Sequence, residues 1–154
     1  KRLKDFRAKL NDLLEDLACQ VARDGEGASK FITIDVSGAA SDMAARRIGL
    51  AVANSPLVKT AIAGQDANWG RIVMAIGKAG EKANRDRLKI VIGGVTIAEK
   101  GQRRAGYDET PVVQHMKGQE IAIAFDVGVG KGRARVWSCD LTHGYIDING
   151  SYRS

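Results

Sequence analysis

The chain has 154 residues, 44% of them hydrophobic and 27% charged, which suits one domain with a packed core. No apolar run reaches the roughly 18 residues of a membrane-spanning helix. The formal charge of +6 comes from 24 Lys and Arg interleaved with 18 Asp and Glu. We interpret it as a solvated basic surface, with nucleic-acid binding as the alternative.

Cysteine and histidine usage points to a reducing compartment and to no metal centre. Cys19 and Cys139 cannot form a disulfide framework, so we expect reduced thiols and a cytoplasmic protein. The two histidines, His115 and His143, are too scattered from these cysteines for a structural zinc site. No linker or repeat divides the chain, so residues 1–154 are expected to form a single unit.

The N-terminal segment predicts an amphipathic helix that ends at the glycines of residues 25–27. Its apolar residues recur at spacings of three and four: Leu3, Phe6, Leu10, Leu13, Leu14, Leu17 and Val21. Residues 31–36 are rich in β-branched side chains and predict a strand.

Three further helices are expected before residue 80. One begins after Ser41 and ends near residue 54, and Ser55 with Pro56 begins the next, which Gly64 can close. Residues 66–80 fit either a buried strand or a helix capped by Asp66, and we favour the helix.

The C-terminal half predicts strands. Residues 88–92 and 95–98 form a hairpin about Gly93 and Gly94, and residues 108–116 form a short helix. Strands are expected at 120–127, 133–138 and 145–149. In the last of these strands, the alternation of side chains places Asn149 on the face opposite Ile146 and Ile148. The predicted class is mixed α/β or α+β, with helices on a mixed sheet whose strands are antiparallel toward the C-terminus.

Local patterns alone predict no active site. The glycines of residues 128–132 lack the spacing of a phosphate-binding loop and precede a strand, so a hairpin turn is favoured. Glu26, between two glycines, could meet a ligand, although a solvated surface turn is the commoner arrangement. His143 is interpreted as a turn residue rather than a general base, and Cys139 as a buried structural thiol.

Three stretches resemble signatures of one enzyme family. They are RDGEGASKF at 23–31, ANSPLVKTA at 53–61 continuing through GQDANWGRI at 64–72, and WSCDLTHGYIDINGSYRS at 137–154. In order and spacing the chain resembles the ornithine acetyltransferases, also called bifunctional glutamate N-acetyltransferases, over essentially its whole length.

The resemblance implies a two-chain acetyltransferase of arginine biosynthesis. In this family a precursor cleaves itself before a Thr, which becomes the N-terminal nucleophile of the β chain. That Thr takes an acetyl group from N-acetylornithine and passes it to glutamate by a ping-pong mechanism, and some members also use acetyl-CoA. An N-terminal Thr carries its own base, the α-amine. The implied enzyme is a cytoplasmic heterotetramer that needs no metal or other cofactor and binds neither nucleic acid nor membrane.

Applied to this sequence, the resemblance implies substrate-binding roles for Glu26, Asn149 and Ser154. It implies no catalytic residue here, because the nucleophilic Thr would lie upstream of Lys1. The chain then corresponds to the C-terminal part of a β chain, inactive alone, with the α chain and the N-terminal part of the β chain as partners. The alternatives are a basic nucleic-acid-binding module and a catalytically silent assembly subunit.

Overall fold

A six-stranded mixed sheet organises residues 2–151, the part of the chain that the computed structural model describes. The strands are β1 (Phe31–Ala39), β2 (Lys89–Ile92), β3 (Val95–Glu99), β4 (Gln102–Arg103), β5 (Glu120–Asp126) and β6 (Gly132–Cys139). Their order across the sheet is β4-β3-β2-β5-β1-β6. Only the β1–β5 pair among them is parallel. The predicted mixed α/β class is therefore confirmed.

Six α-helices accompany the sheet within the described part of the chain. They are α1 (Arg2–Arg23), α2 (Asp42–Ala53), α3 (Pro56–Ala63), α4 (Trp69–Gly77), α5 (Thr110–Lys117) and α6 (His143–Gly150), with a 3-10 turn at Arg85–Arg87. The predicted cap of α3 is confirmed, because the hydroxyl of Ser55 accepts a hydrogen bond from a backbone amide of the first turn. The predicted start of α2 after Ser41 is also confirmed, and the Ser41 hydroxyl caps this helix in the same way. Helix α4 is also confirmed, but its cap is Asn68 rather than Asp66.

The core lies between one face of the sheet and helices α2 to α5. Alternate residues of β1 point into it, and Ile34 is fully buried there, as is Ile48 of α2. The predicted inward face of β5, which includes Ile123, is buried as well. The opposite face carries polar residues such as Asp35, whose carboxylate pairs with Arg135 of β6 at 2.7 Å.

Helix α1 has the predicted fold but not the burial that an amphipathic helix normally achieves. Of its described side chains only Cys19 and Ala22 are half-buried, and the other side chains from residue 3 onward are exposed. The apolar stripe lies on the other side of the helix, with Leu3 76% exposed and Leu14 53% exposed. The C-terminal end of α1 is tethered to the sheet, because Arg23 pairs with Glu120 and lies over the ring of Phe31.

Two further predictions were wrong. Residues 145–149 belong to helix α6 and not to a strand. The glycines at 128–132 do not form a hairpin turn, because β5 and β6 are separated by β1 in the sheet. The connection instead crosses the end of β1, where the amides of Val129 and Gly130 both donate to the carbonyl of Gly38.

None of the helices within residues 2–151 is long and apolar enough to cross a membrane.

Candidate functional site

Two segments far apart in sequence meet at the edge of the sheet where β1 begins and β6 ends. The first is residues 24–30, between α1 and β1, which we call the Glu26 turn. The second is residues 140–149, which leave β6 and form α6. Their contacts place two of the three predicted site residues side by side.

Asp140 anchors the Glu26 turn from the end of β6. Its side chain is 2% exposed, and its carboxylate accepts three hydrogen bonds. The donors are the Ser29 amide at 2.7 Å, the Ser29 hydroxyl at 2.5 Å and the Lys30 amide at 3.0 Å. These bonds satisfy a carboxylate that would otherwise be costly to bury.

Thr142 joins the same turn to helix α6. Its hydroxyl caps the helix by accepting from the Gly144 amide at 3.0 Å, and it donates to the carbonyl of Gly27 at 2.5 Å. Gly27 has φ of +67°, and a Cβ there would lie 2.5 Å from the Gly144 carbonyl carbon. The close approach of turn and helix therefore requires glycine at position 27.

Glu26 and Asn149 are in direct contact. The Asn149 amide nitrogen donates to the Glu26 carboxylate at 2.7 Å and to the Tyr145 carbonyl at 3.0 Å. Both side chains are exposed to solvent. The pair therefore presents a carboxylate and an amide side by side to solvent.

Asn149 and Tyr145 lie on one face of helix α6, and not on one face of the predicted strand. In a strand, Asn149 and Tyr145 would share one face because they are an even number of residues apart. In α6 they share a face because they are four residues apart, and the bond from Asn149 to the Tyr145 carbonyl follows from that spacing. Ser154, the third predicted contact, lies outside the described residues.

A cleft of about 480 Å³ opens on the neighbouring side of α6. It is lined by the end of α3 and the start of α6, including Thr60, Gly64, His143 and Ile146. His143 is the first residue of the helix and is exposed, so the predicted turn position before a strand becomes a helix start.

Both cysteines are free thiols. Cys139 is half-buried beneath the Glu26 turn, where a Cβ on Gly25 would lie 2.6 Å from its sulfur, and Lys59 Nζ is 3.8 Å from the same sulfur. Desolvation, and then the charge of Glu15, raises the pKa of the Cys19 thiol, which lowers its thiolate fraction at neutral pH. Within residues 2–151 no cluster of three His, Cys, Asp or Glu side chains is placed to hold a metal ion.

Sequence reasoning missed Asp140, Ser29 and Thr142 as parts of the site. The only local signal was the Asp-Leu-Thr run after a strand, in which Thr142 is a favourable cap for a following helix. The partners of Asp140 lie 110 and 111 residues away, so no local pattern could have revealed them.

The fold and the site define a mixed α/β domain that presents a carboxylate–amide pair where two adjacent strands begin and end. The model of the ArgJ family matches residues 1–154, and the chain belongs to that family.

Curated relatives cover nearly the whole chain. The arginine biosynthesis bifunctional protein ArgJ of Gluconobacter oxydans is 66% identical over 152 residues, which are 99% of this chain and 36% of the relative. The protein of the same name from Agrobacterium fabrum is 57% identical over 154 residues, which are 100% of this chain and 37% of the relative. The chain thus spans little more than a third of the length of these relatives.

A crystal structure supports the same family membership. The arginine biosynthesis bifunctional protein argJ of Bacillus halodurans matches with a TM-score of 0.93 and 40% identity, over 97% of this chain and 70% of that chain. The names of these relatives describe arginine biosynthesis, and none describes nucleic-acid binding.

Proposed function

We propose that this chain is the C-terminal part of the β chain of a glutamate N-acetyltransferase of arginine biosynthesis, and that it supplies groups that hold the amino-acid substrates. The observation that carries the proposal is the 2.7 Å contact between Glu26 and Asn149, which joins residues 123 positions apart. Membership of the ArgJ family supports the same conclusion.

The pair has the chemistry that an amino-acid substrate requires. A carboxylate such as Glu26 forms a charge-assisted hydrogen bond with a substrate ammonium group. The Asn149 nitrogen donates to Glu26 and to the Tyr145 carbonyl. Among residues 2–151 no donor contacts its amide oxygen, which can therefore accept a hydrogen bond from a substrate. Ser154 is proposed as the third substrate contact.

The proposed reaction has two half-steps at one nucleophile. The hydroxyl of a Thr outside these 154 residues, deprotonated by its own α-amine, attacks the acetyl carbonyl of N-acetylornithine and releases ornithine. The amine of glutamate then attacks the acetyl-enzyme, which gives N-acetylglutamate and restores the Thr. Acetyl-CoA is an alternative donor that would release CoA. The scheme needs no metal or other cofactor.

The rest of the protein is the proposed partner of helix α1. Helix α1 has seven exposed apolar residues, which form a stripe that the sheet of this chain does not cover. Exposed apolar stripes of this kind mark protein contacts. The relatives are almost three times as long as the matched region, which supplies the polypeptide to cover it. We propose the α chain and the N-terminal part of the β chain as this polypeptide, in a cytoplasmic heterotetramer.

The substitution Glu26→Gln in the complete two-chain protein tests the proposal. Removing the charge that meets the substrate amine should lower kcat/KM for N-acetylornithine about a hundredfold, because a charged hydrogen-bonding partner is lost. Steady-state kinetics would measure this, and circular dichroism should show unchanged folding. Glu99→Gln, which removes an exposed carboxylate from β3, is the matched control and should retain full activity.

Wild-type kinetics in Glu26→Gln would contradict the substrate-binding role. The 154-residue chain alone is expected to be inactive, since it lacks the nucleophile, and turnover by the purified chain would contradict the proposed division of labour.

A further inference from the structure

We propose that Asp140 is a positioning residue, which holds the Glu26 carboxylate beside Asn149 by clamping the backbone of the Glu26 turn through Ser29. This inference rests on the proposed substrate-binding role of Glu26. It assigns a task to a buried carboxylate that does not itself touch the ligand-facing side of the site.

The buried charge of Asp140 is balanced by the turn itself. All three donors to its carboxylate come from Ser29 and Lys30. The Lys30 ammonium group does not take part, because it donates to the carbonyls of Met116 and Gly118 at 2.8 and 2.7 Å. A buried carboxylate that loses such donors is strongly destabilised, so the turn has one strongly preferred position relative to β6.

The clamp reaches Glu26 through a short, doubly fixed piece of backbone. The Ala28 amide donates to the Gly25 carbonyl at 2.9 Å, which closes the turn around Glu26. Ser29 is held by Asp140 and Gly27 by Thr142, so two of the three residues that follow Glu26 are tied to the segment after β6.

The same segment also places the partner of Glu26. Asp140 adds a backbone bond from its amide to the Lys30 carbonyl at 3.1 Å, and two residues later Thr142 caps α6, which carries Asn149. Turn and helix are therefore positioned from one three-residue stretch. If the turn moves away from Asp140, we expect the 2.7 Å contact between Glu26 and Asn149 to open.

The test uses variants of the complete two-chain protein. Ser29→Ala removes one donor to Asp140 without emptying the buried site, and it should lower kcat/KM for N-acetylornithine about tenfold. Ser29→Thr keeps the hydroxyl and should stay within about twofold of the wild type. Ser37→Ala removes another Ser–Asp hydrogen bond, to Asp126 at the far end of β1, and should leave the kinetics unchanged.

A double-mutant cycle distinguishes positioning from general destabilisation. If Ser29 and Asp140 act through Glu26, then Ser29→Ala should cost less than about twofold when added to Glu26→Gln. A full tenfold further loss in that background would overturn the inference, and so would wild-type activity in Ser29→Ala alone.

Hydrogen exchange gives a readout that does not depend on activity. In Asp140→Ala, amide exchange in residues 24–30 should accelerate, while exchange in β1 stays slow. Unchanged protection of the turn would overturn the clamp. The two proposals can fail separately. Wild-type kinetics in Glu26→Gln would contradict the substrate-binding role of Glu26. A strong loss of activity in Glu26→Gln together with wild-type kinetics in Ser29→Ala would contradict only the role of Asp140.

Discussion

Gly27 determines how closely the Glu26 turn can approach helix α6. Its φ of +67° lies in the left-handed region, and a side chain there would run into the backbone of Gly144 and Tyr145. Neither the start of α6 nor the Glu26 turn can shift easily to make room. The start of α6 is the first turn of a capped helix, and the carbonyl of Gly27 is bound to Thr142. A single hydrogen atom at this position is thus a condition for the contact between Glu26 and Asn149.

Gly27→Ala should therefore cost far more than left-handed strain alone. We expect a loss of about 3 kcal/mol in the free energy of unfolding, from strain plus forced separation of turn and helix. Gly80→Ala is the control, since φ there is +70° and no atom lies within 4 Å of the added Cβ. It should cost only about 1 kcal/mol. Thermal denaturation of the complete protein compares the two, and equal losses would contradict the steric argument.

Residue identity predicted some of the site and not the rest. Glu26 and Asn149 stood out because the motifs around them resemble a known family, and the structure brings them together. Asp140 did not stand out, because a carboxylate that accepts backbone amides 110 residues away has no local signature. Its burial follows from the antiparallel pairing of β6 with β1, which sequence spacing does not specify.

Helix α6 shows how a cap can override an alternating pattern. The order of polar and apolar residues over 145–149 is that of a half-buried strand, yet the segment is helical. The Thr142 hydroxyl supplies the missing acceptor at the helix start, and five residues are too few for alternation to outweigh it. No described residue of α6 is buried, so a strand at this position would have gained no stabilisation from packing one face against the core.

The double role of Thr142 gives a prediction for this element. Thr142→Val removes both the cap and the bond to the Gly27 carbonyl, whereas Ser55→Ala removes only a cap, that of α3. Ser55→Ala should lower stability by about 1 kcal/mol, and Thr142→Val, which loses a second hydrogen bond, by about 2 kcal/mol. Only Thr142→Val should also reduce kcat/KM, because only it loosens the Glu26 turn. Calorimetry paired with kinetics would check this, and equal activity in the two variants would contradict the prediction.

The connection between β5 and β6 also shows that local sequence patterns do not determine which strands become neighbours. Two predicted strands joined by glycines suggested a hairpin, but β1 lies between them and pairs with both. The hydrophobic pattern of each strand was correct, since alternation is local. Which strands become neighbours depends on packing of the whole sheet, where β1, the most buried strand, takes the position between them.

At the scale of the molecule, helix α1 is the surface on which the proposed assembly depends. A 22-residue helix that exposes seven large apolar side chains is poorly stabilised by its own chain. A cleft of about 630 Å³ between this helix and the polar sheet face, lined by Glu15, Asp35 and Trp137, is likewise open. Both surfaces are consistent with burial against the partner polypeptide proposed above.

Substitutions on α1 should therefore disrupt assembly rather than the fold of this domain. Leu14→Gln combined with Leu17→Gln preserves helix propensity but removes apolar contacts worth several kcal/mol at an interface. We expect loss of the complete assembly in size-exclusion chromatography. Asp12→Asn changes an exposed side chain on the opposite side of α1 from the apolar stripe, and this variant should assemble normally. An intact assembly in the double variant would contradict burial of the stripe.

The sequence by itself determined the helix and strand segments with strong periodicity, the cap at Ser55 and the mixed α/β class. Through resemblance, it also gave the prediction that Glu26 and Asn149 contact substrate. These properties depend on spacing along the chain or on short motifs. Only the tertiary structure decided that β1 separates β5 from β6, that residues 143–150 are helical, and that Asp140 clamps the turn. The strand order and the contacts of Asp140 join segments up to 111 residues apart, and no local pattern encodes the energies of such contacts. Residues 143–150 are helical because Thr142 caps the helix and because the fold offers this segment no sheet face to pack against.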